Sequence, residues 1–190
     1  MDDEDRSLLL SIVSGALSLF DTEAFAYCLM GNHYHFVLHT RQANLSALMA
    51  RVNGLYTQVF NRRHHVGGRL FEGRFKSVHV DRTTYLMAVC RYVDLNPVRA
   101  GMTGSARDWR WSSCRANVGL VHPPGWLATD RLHECLLGHD VRTDTDRRAA
   151  QASYEAFIEA GRDVRLWEEH LREGSYLGDD AFVARMRQHA

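Results

Sequence analysis

The chain has 190 residues, of which 45% are hydrophobic, and this is enough apolar material for a folded core and too much for a disordered chain. Its 23 basic and 23 acidic side chains cancel, which on its face argues against a protein that binds nucleic acid. The zero net charge is the sum of three unequal blocks. Residues 1–50 have net charge −4 (2 basic, 6 acidic), residues 51–115 have +8 (12 and 4) and residues 116–190 have −4 (9 and 13). The basic middle of the chain therefore indicates a local anionic partner.

The first predicted element is an amphipathic helix over residues 5–20, where apolar side chains recur at helical spacing. Two short runs rich in β-forming residues follow, at residues 24–30 and 33–40. The Gly31-Asn32 dipeptide between them is suited to a tight reversal. These runs therefore predict a β-hairpin.

A second amphipathic helix is predicted over residues 45–60, with Asn44 as its N-cap. The pattern then predicts a strand over residues 74–80 and a third helix that begins after Asp81 and is stopped by Pro97. The resulting order α-β-β-α-β-α is typical of an α+β protein. We expect a ferredoxin-like antiparallel sheet with helices on one face.

The Pro123-Pro124-Gly125 sequence predicts a boundary between a first domain over residues 1–120 and a helical C-terminal extension over residues 121–190. The extension has the pattern of about three short acidic helices and no strand signal. Either a helical cap on the core or a partner-binding extension is compatible with this pattern.

The longest apolar runs are only a few residues and cannot cross a bilayer, and the acidic N-terminus differs from the basic start of a secretory signal. The four cysteines have no CxxC spacing, which predicts reduced thiols and not a disulfide framework or a zinc site. We therefore expect a cytoplasmic protein that does not interact with membranes.

His33 and His35 are separated by one residue in the second predicted strand. Alternate strand residues face the same side, so both imidazoles would project together as a pair of metal ligands, with Tyr34 on the opposite face. The motif is weak by itself in a chain with 11 histidines. Two partly buried structural histidines are the alternative interpretation.

Tyr92 and Asn96 are four residues apart and so share one face of the third predicted helix. A tyrosine hydroxyl has a pKa of about 10 and needs a polarised electrophile or a nearby base to attack a phosphodiester. Two imidazoles and the Asn96 amide oxygen would leave open positions on a divalent cation for phosphate oxygens. Alternatively, Tyr92 is a core aromatic residue beside Tyr85 and Val89, and Asn96 is a helix C-cap.

Arginines and aromatic residues alternate in the basic middle of the chain, as single-stranded nucleic acid requires for its phosphates and unstacked bases. A solvated helix face with core tryptophans is the alternative. The candidate DNA contacts are Arg62, Arg63, Arg69, Arg74, Lys76, Arg91, Arg99, Trp109, Arg110 and Trp111.

These groups lie in order within longer motifs, namely YCLMGNHYHFVLHT, GRLFEGRFKSVHVD, YLMAVCRYVDLNPVRAGM and WRWSSCRA. With them, residues 1 to about 116 resemble the single-tyrosine HUH transposases, in particular the REP-associated tyrosine transposases. The resemblance implies that Tyr92 is the nucleophile and that His33, His35 and Asn96 bind Mg²⁺ or Mn²⁺. Mn²⁺ is the easier fit to mixed imidazole and oxygen ligands.

The resemblance also implies the reaction, which is attack of Tyr92 on single-stranded DNA of hairpin-forming repeats to leave a 5′-phosphotyrosine link and a free 3′-hydroxyl. The acting unit would be a monomer or a homodimer. Members of this family usually begin with a further strand that has no counterpart here, so we expect an open strand edge. A truncated or domesticated relative that binds structured DNA without cleaving it is the alternative function. An RNA-binding module is disfavoured, because such modules carry aromatic side chains where this chain has histidines.

Overall fold

The computed structural model describes residues 1–164 and 166–188, apart from the side chains of residues 168 and 169. The fold is mixed α+β, as predicted. The helices are α1 (Asp3–Leu19), α2 (Leu45–His64), α3 (Arg82–Arg99), α4 (Cys114–Asn117), α5 (Thr129–Leu137), α6 (Asp144–Glu159), α7 (Leu166–His170) and α8 (Asp180–Arg187). The strands are β1 (Thr22–Leu29), β2 (Tyr34–Thr40), β3 (His79–Val80), β4 (Leu171–Arg172) and β5 (Tyr176–Leu177).

The N-terminal helix and the hairpin lie where the sequence predicts them. A reciprocal capping box starts α1, because the backbone N–H of Asp5 donates to the Asp2 carboxylate and that of Asp2 donates to the Asp5 carboxylate, both at 2.9 Å. β1 and β2 are antiparallel, with Cys28 opposite His35. The Met30 N–H closes the turn by donating to the His33 carbonyl at 2.8 Å.

Helices cover both faces of the hairpin, so the prediction of helices on one face is wrong. Tyr34, Phe36 and Leu38 point to one side of β2 and pack in a cluster with α1 and α2. Val37 points to the other side and packs in a cluster with α3 and the C-terminal helices. The strands are therefore the middle layer of a sandwich, and α1 and α2 are separated from α3 by the hairpin.

The predicted strand over residues 74–80 is reduced to β3, which pairs in parallel with β5, and β5 pairs antiparallel with β4. The described residues thus form a two-stranded and a three-stranded sheet and not one ferredoxin-like sheet. Residues 72–77 are mostly exposed, and Phe75 is their one side chain that packs against the hydrophobic core, so the segment lacks the alternating apolar face of a half-buried strand. The prediction that the C-terminal part lacks strands is also wrong.

The outer edge of β1 is covered by loop segments. The Leu29 N–H donates to the Trp111 carbonyl and the Ala128 N–H donates to the Ala24 carbonyl, both at 2.8 Å. Within the described residues, β2 pairs only with β1.

The ends of α2 and α3 differ from the sequence predictions. Asn44 precedes α2, but its side chain does not cap the helix and instead donates to the Phe20 carbonyl at 2.9 Å. Pro97 does not stop α3, which continues to Arg99. Proline has no N–H to offer the carbonyl one turn earlier, and the Asn96 side-chain amide donates to that Val93 carbonyl at 3.3 Å.

The C-terminal elements share a hydrophobic core with α3. This core contains Leu86, Val89 and Val93 of α3 together with Leu132, Tyr154, Ile158, Leu166 and Leu177. All four cysteines are free thiols, and three of them are buried. No helix in the described part of the chain is long and apolar enough to cross a membrane.

Candidate active site

The two histidines lie side by side, with His33 immediately before β2 and His35 as its second residue. Their ring centroids are 5.0 Å apart and the ring planes are perpendicular. Tyr34 between them points the other way, and its hydroxyl donates to Asn53 Oδ1 of α2 at 2.5 Å. This bond holds β2 in register against α2, so the imidazoles face α3, as strand alternation predicts.

Each imidazole keeps one ring nitrogen available. His33 Nδ1 lies 2.8 Å from Asn32 Oδ1, and because a carboxamide oxygen only accepts, this contact favours the neutral tautomer with the proton on Nδ1 and the lone pair on Nε2. His35 Nε2 is buried without a hydrogen-bond partner among the described residues. Burial, together with the neighbouring His33, lowers the pKa of His35 to about 4, so this imidazole is neutral at neutral pH.

Tyr92 of α3 lies next to this pair. Its ring centroid is 6.4 Å from that of His35 at an interplanar angle of 89°. Trp167 of α7 meets the Tyr92 ring edge-on at 5.0 Å, and the Arg99 guanidinium carbon lies 4.8 Å from the ring centroid. The ring is therefore surrounded by β2, α7 and the end of its own helix.

Asn96 lies one turn further along α3. Its amide nitrogen donates to the carbonyls of Tyr92 at 3.2 Å and of Val93 at 3.3 Å. These bonds use the N–H groups and leave Oδ1 as the atom that could bind a cation. The Asn96 amide nitrogen thus supplies the donor that Pro97 lacks, and the amide oxygen remains free of these two hydrogen bonds.

The donor atoms fit a divalent metal. A buried imidazole nitrogen without a partner, a second imidazole whose neutral tautomer is favoured by Asn32, and an amide oxygen are neutral N and O ligands. Mn²⁺ accepts such a mixed set more readily than Mg²⁺, which prefers oxygen. The structure brings His33, His35 and Tyr92 together.

Asp2, Asp5 and His64 form a group in the described chain that could hold a metal ion, because their ligand atoms lie within 4.8 Å of one another. Arg63 already neutralises it, with Nη1 at 2.8 Å from both Asp2 Oδ2 and Asp5 Oδ1. The arginine takes the place that a cation would need. This cluster joins the ends of α1 and α2 and is structural.

The predicted DNA contacts divide into two groups. Arg62, Arg69, Arg74 and Lys76 are exposed and make no ion pair or hydrogen bond with the described residues. The other six make intramolecular contacts. These four side chains are therefore the ones with free charge for phosphate.

The tryptophans of the basic block stabilise the fold. Trp109 Nε1 donates to the Leu29 carbonyl at 3.1 Å, and Trp111 Nε1 donates to Asp3 Oδ1 at 2.9 Å. Trp111 is buried, and Arg110 lies over its ring while pairing with Asp3. The interpretation of these tryptophans as core residues matches this geometry better than base stacking does.

Arg91 contacts α6, and Arg99 binds the segment between α6 and α7. The Arg91 guanidinium carbon lies 4.2 Å from the Phe157 ring centroid. Arg99 donates to the carbonyls of Gly161 at 3.3 Å and Val164 at 3.2 Å. Together with Arg63, these residues use their charge inside the molecule.

The sequence interpretation missed Asp94 and Trp167. Asp94 is fully buried two residues after Tyr92 and accepts from Ser113 Oγ at 2.6 Å and Tyr154 Oη at 2.8 Å. A carboxylate among the apolar positions of α3 is a signal that could have identified it. Nothing in the sequence pattern connects Trp167 to Tyr92, because the two residues are 75 positions apart.

The family described as "Transposase IS200 like" matches residues 1–96, which is half of the chain and includes both histidines, Tyr92 and Asn96. The chain belongs to this family of IS200-like transposases. A transposase acts on DNA. Neither a curated protein nor a solved structure gives a significant match to this transposase.

Proposed function

We propose that this transposase is a metal-dependent endonuclease and strand transferase for single-stranded DNA, of the REP-associated kind, with Tyr92 as its nucleophile. The observation that carries the proposal is the contact between the Tyr92 ring and His35, with His33 on the same side. A phenol beside two metal-binding imidazoles is the arrangement that tyrosine attack on a phosphodiester needs. The half-buried ring also remains accessible to a substrate.

The reaction exchanges one phosphodiester for another. Tyr92 Oη forms a bond to the phosphorus and loses its proton, while the bond from phosphorus to the 3′ oxygen breaks and that oxygen gains a proton. The products are a 5′-phosphotyrosine link and a free 3′-hydroxyl, which reverses the reaction by attacking the same phosphorus. Mn²⁺ or Mg²⁺ bound by His33 Nε2, His35 Nε2 and Asn96 Oδ1 would neutralise the phosphate oxygens.

The exposed residues Arg62, Arg69, Arg74 and Lys76 would hold the DNA backbone. Their charges are free of intramolecular ion pairs in the described chain, so the counterions released on binding make the affinity depend on salt. The substrate would be hairpin-forming repeat DNA in the cytoplasm, and the acting unit a monomer or homodimer. Residues 1–120 would form the catalytic domain, and residues 121–190 would form an extension that contains helices and the short strands β4 and β5.

A labelled hairpin oligonucleotide incubated with the full chain and Mn²⁺ tests the proposal. We expect a covalent adduct on a denaturing gel, and we expect none with Tyr92→Phe or after chelation of the metal. An adduct that survives Tyr92→Phe would contradict the assignment of the nucleophile.

A second function, binding of structured DNA without cleavage, is favoured by the small size of the sheet. The strand that carries His35 pairs only with β1 within the described residues. A gel shift of the same oligonucleotide that produces no adduct under any metal condition would support this alternative.

A further inference from the structure

The C-terminal segment lies along the helix that carries Tyr92. Three pairs of aromatic rings join the two segments. The partners of residues 79, 85 and 92 lie at successively earlier positions of the C-terminal segment, although β3 and β5 themselves pair in parallel. The pairs and their centroid distances are His79 with Tyr176 at 5.7 Å, Tyr85 with His170 at 5.5 Å and Tyr92 with Trp167 at 5.0 Å. Each pair joins the family-matched part of the chain to the part beyond it.

The Arg99 side chain joins the same two parts of the chain, through hydrogen bonds to backbone carbonyls. Its Nη1 donates to the Tyr92 carbonyl at 3.1 Å, and its Nη2 donates to the carbonyls of Gly161 and Val164. The guanidinium carbon also lies 4.8 Å from the centroid of the Tyr92 ring. One side chain therefore touches both the ring and the backbone of Tyr92 and fixes the loop that leads to α7.

The Tyr92 ring can rotate about two side-chain torsions, and these contacts restrict both. His35 meets the ring at 89° and Trp167 meets it at 81°, while Arg99 adds a planar cation within reach of the ring. The placement of a nucleophile matters, because a misplacement of about 1 Å costs on the order of 100-fold in rate.

We propose that Trp167 and Arg99 are positioning residues for Tyr92, so that the C-terminal segment completes the active site of the transposase. The inference rests on the proposed role of Tyr92 as nucleophile. It also changes the assignment of Arg99, whose donors bind three backbone carbonyls of its own chain and not DNA phosphates.

Single-turnover rates of adduct formation test this inference in the full chain. We expect Trp167→Ala and Arg99→Gln to lower the rate by about 10- to 100-fold. DNA affinity, measured for each change in a Tyr92→Phe background, should change by less than about twofold, because Arg99 donates to backbone carbonyls and Trp167 packs on the Tyr92 ring. Trp167→Phe keeps an aromatic edge at the same place and should recover most of the rate.

Arg99→Lys should not recover the rate, because an ammonium group cannot form the planar fork that reaches two carbonyls and the ring. Arg162→Gln is the matched control, since Arg162 lies in the same segment and its ion pair among the described residues is with Glu159, three residues earlier. A rate that rises in Trp167→Ala would show that Trp167 blocks the nucleophile and would overturn the inference. An unchanged rate, or an equal loss of rate and affinity, would overturn it as well.

A readout without DNA separates this inference from the proposed function. With fluorotyrosine incorporated, the ¹⁹F resonance of Tyr92 is the one lost in Tyr92→Phe. We expect this resonance to shift and broaden in Trp167→Ala and Arg99→Gln, to change less in Trp167→Phe and to stay in place in Arg162→Gln. A resonance that does not move overturns the positioning role, whereas an absent adduct with a displaced resonance contradicts only the proposed chemistry.

Discussion

The ring of His35 in β2 and the ring of Tyr92 in α3 meet at nearly a right angle, with their centroids 6.4 Å apart. The two residues belong to different elements and are 57 positions apart in the chain. Packing of α3 on the hairpin face that carries His35 and Val37 creates this contact. The site therefore depends on tertiary packing and not on either element alone.

Replacement of His35, which we propose as a metal ligand, should strongly reduce the reaction. We expect His35→Ala to lower adduct formation in Mn²⁺ by at least about 100-fold, since removal of even an outer partner of a metal ligand costs about 10- to 100-fold. Asn32→Ala should lower the rate of adduct formation by the smaller factor of about 10- to 100-fold, because Asn32 orients the His33 ring through its hydrogen bond. Initial rates over a Mn²⁺ titration measure both.

His39→Gln is the control for the histidine prediction. His39 lies in the same strand, and its Nδ1 is 3.6 Å from Glu23, away from Tyr92. The rate should stay near that of the wild type. An equal loss in His39→Gln and His35→Ala would mean that β2 is simply destabilised.

A salt titration of DNA binding should distinguish the basic residues that contact phosphate from those that pair inside the molecule. We expect Arg74→Gln and Lys76→Gln each to weaken binding and to reduce the slope of log affinity against log salt by roughly 0.7, the value for one phosphate of a single strand. Arg63→Gln should leave the slope unchanged, because Arg63 is held by Asp2, Glu4 and Asp5.

The same Arg63→Gln variant should lower the melting temperature, because the buried Asp5 carboxylate loses a partner. Fluorescence anisotropy and thermal denaturation check the two halves of this comparison. A reduced salt slope in Arg63→Gln, with an unchanged melting temperature, would contradict this account and show that Arg63 contacts DNA.

The stability of the protein should depend on pH through Asp94. Burial raises the pKa of this carboxyl from 3.8 to about 7, although hydrogen bonds from Ser113 and Tyr154 oppose the shift. The folded chain thus holds a proton that the unfolded chain releases at lower pH. This stabilising contribution is complete below about pH 4 and declines as the pH rises to about 7.

Melting temperatures of the wild type and Asp94→Asn over this pH range check the sign. The stability of the wild type relative to Asp94→Asn should fall as the pH rises, because the amide has no proton to lose. Asp108→Asn changes an exposed carboxyl and serves as the control. A melting temperature of the wild type that rises relative to that of Asp94→Asn as the pH rises would contradict the burial of a protonated Asp94.

Tyr154 should contribute to stability through its hydroxyl. Tyr154→Phe removes one of the two side-chain donors to Asp94 and leaves a buried carboxyl oxygen with one fewer bond. We expect the free energy of unfolding to fall by about 1–3 kcal/mol. Urea denaturation at neutral pH measures this change, and an unaffected midpoint would show that the bond contributes nothing net.

Local sequence patterns predict the elements that carry the site. Helical spacing places α1 and α2, and the Gly31-Asn32 dipeptide places the hairpin turn. Strand alternation predicts that His33 and His35 share a face, because this property depends only on backbone geometry. The end of α3 is missed, since the Asn96 amide supplies the donor that Pro97 lacks.

Long-range packing limits the rest of the prediction. The pairing of His79 with Tyr176 and the contact of Trp167 with Tyr92 involve residues that share no periodicity. The charge pattern shows where arginines lie but not which of them pair inside the molecule. Arg63 and Arg99 therefore resemble Arg74 in the sequence, although the structure gives them different partners.

Mass spectrometry of the covalent adduct is the most direct test of the central claim. A hairpin oligonucleotide is incubated with the full chain and Mn²⁺, the product is digested with protease and nuclease, and the modified peptide is sequenced. The account predicts a 5′-linked nucleotide on Tyr92 alone. A nucleotide linked to Tyr34, to Tyr85 or to another residue would contradict it.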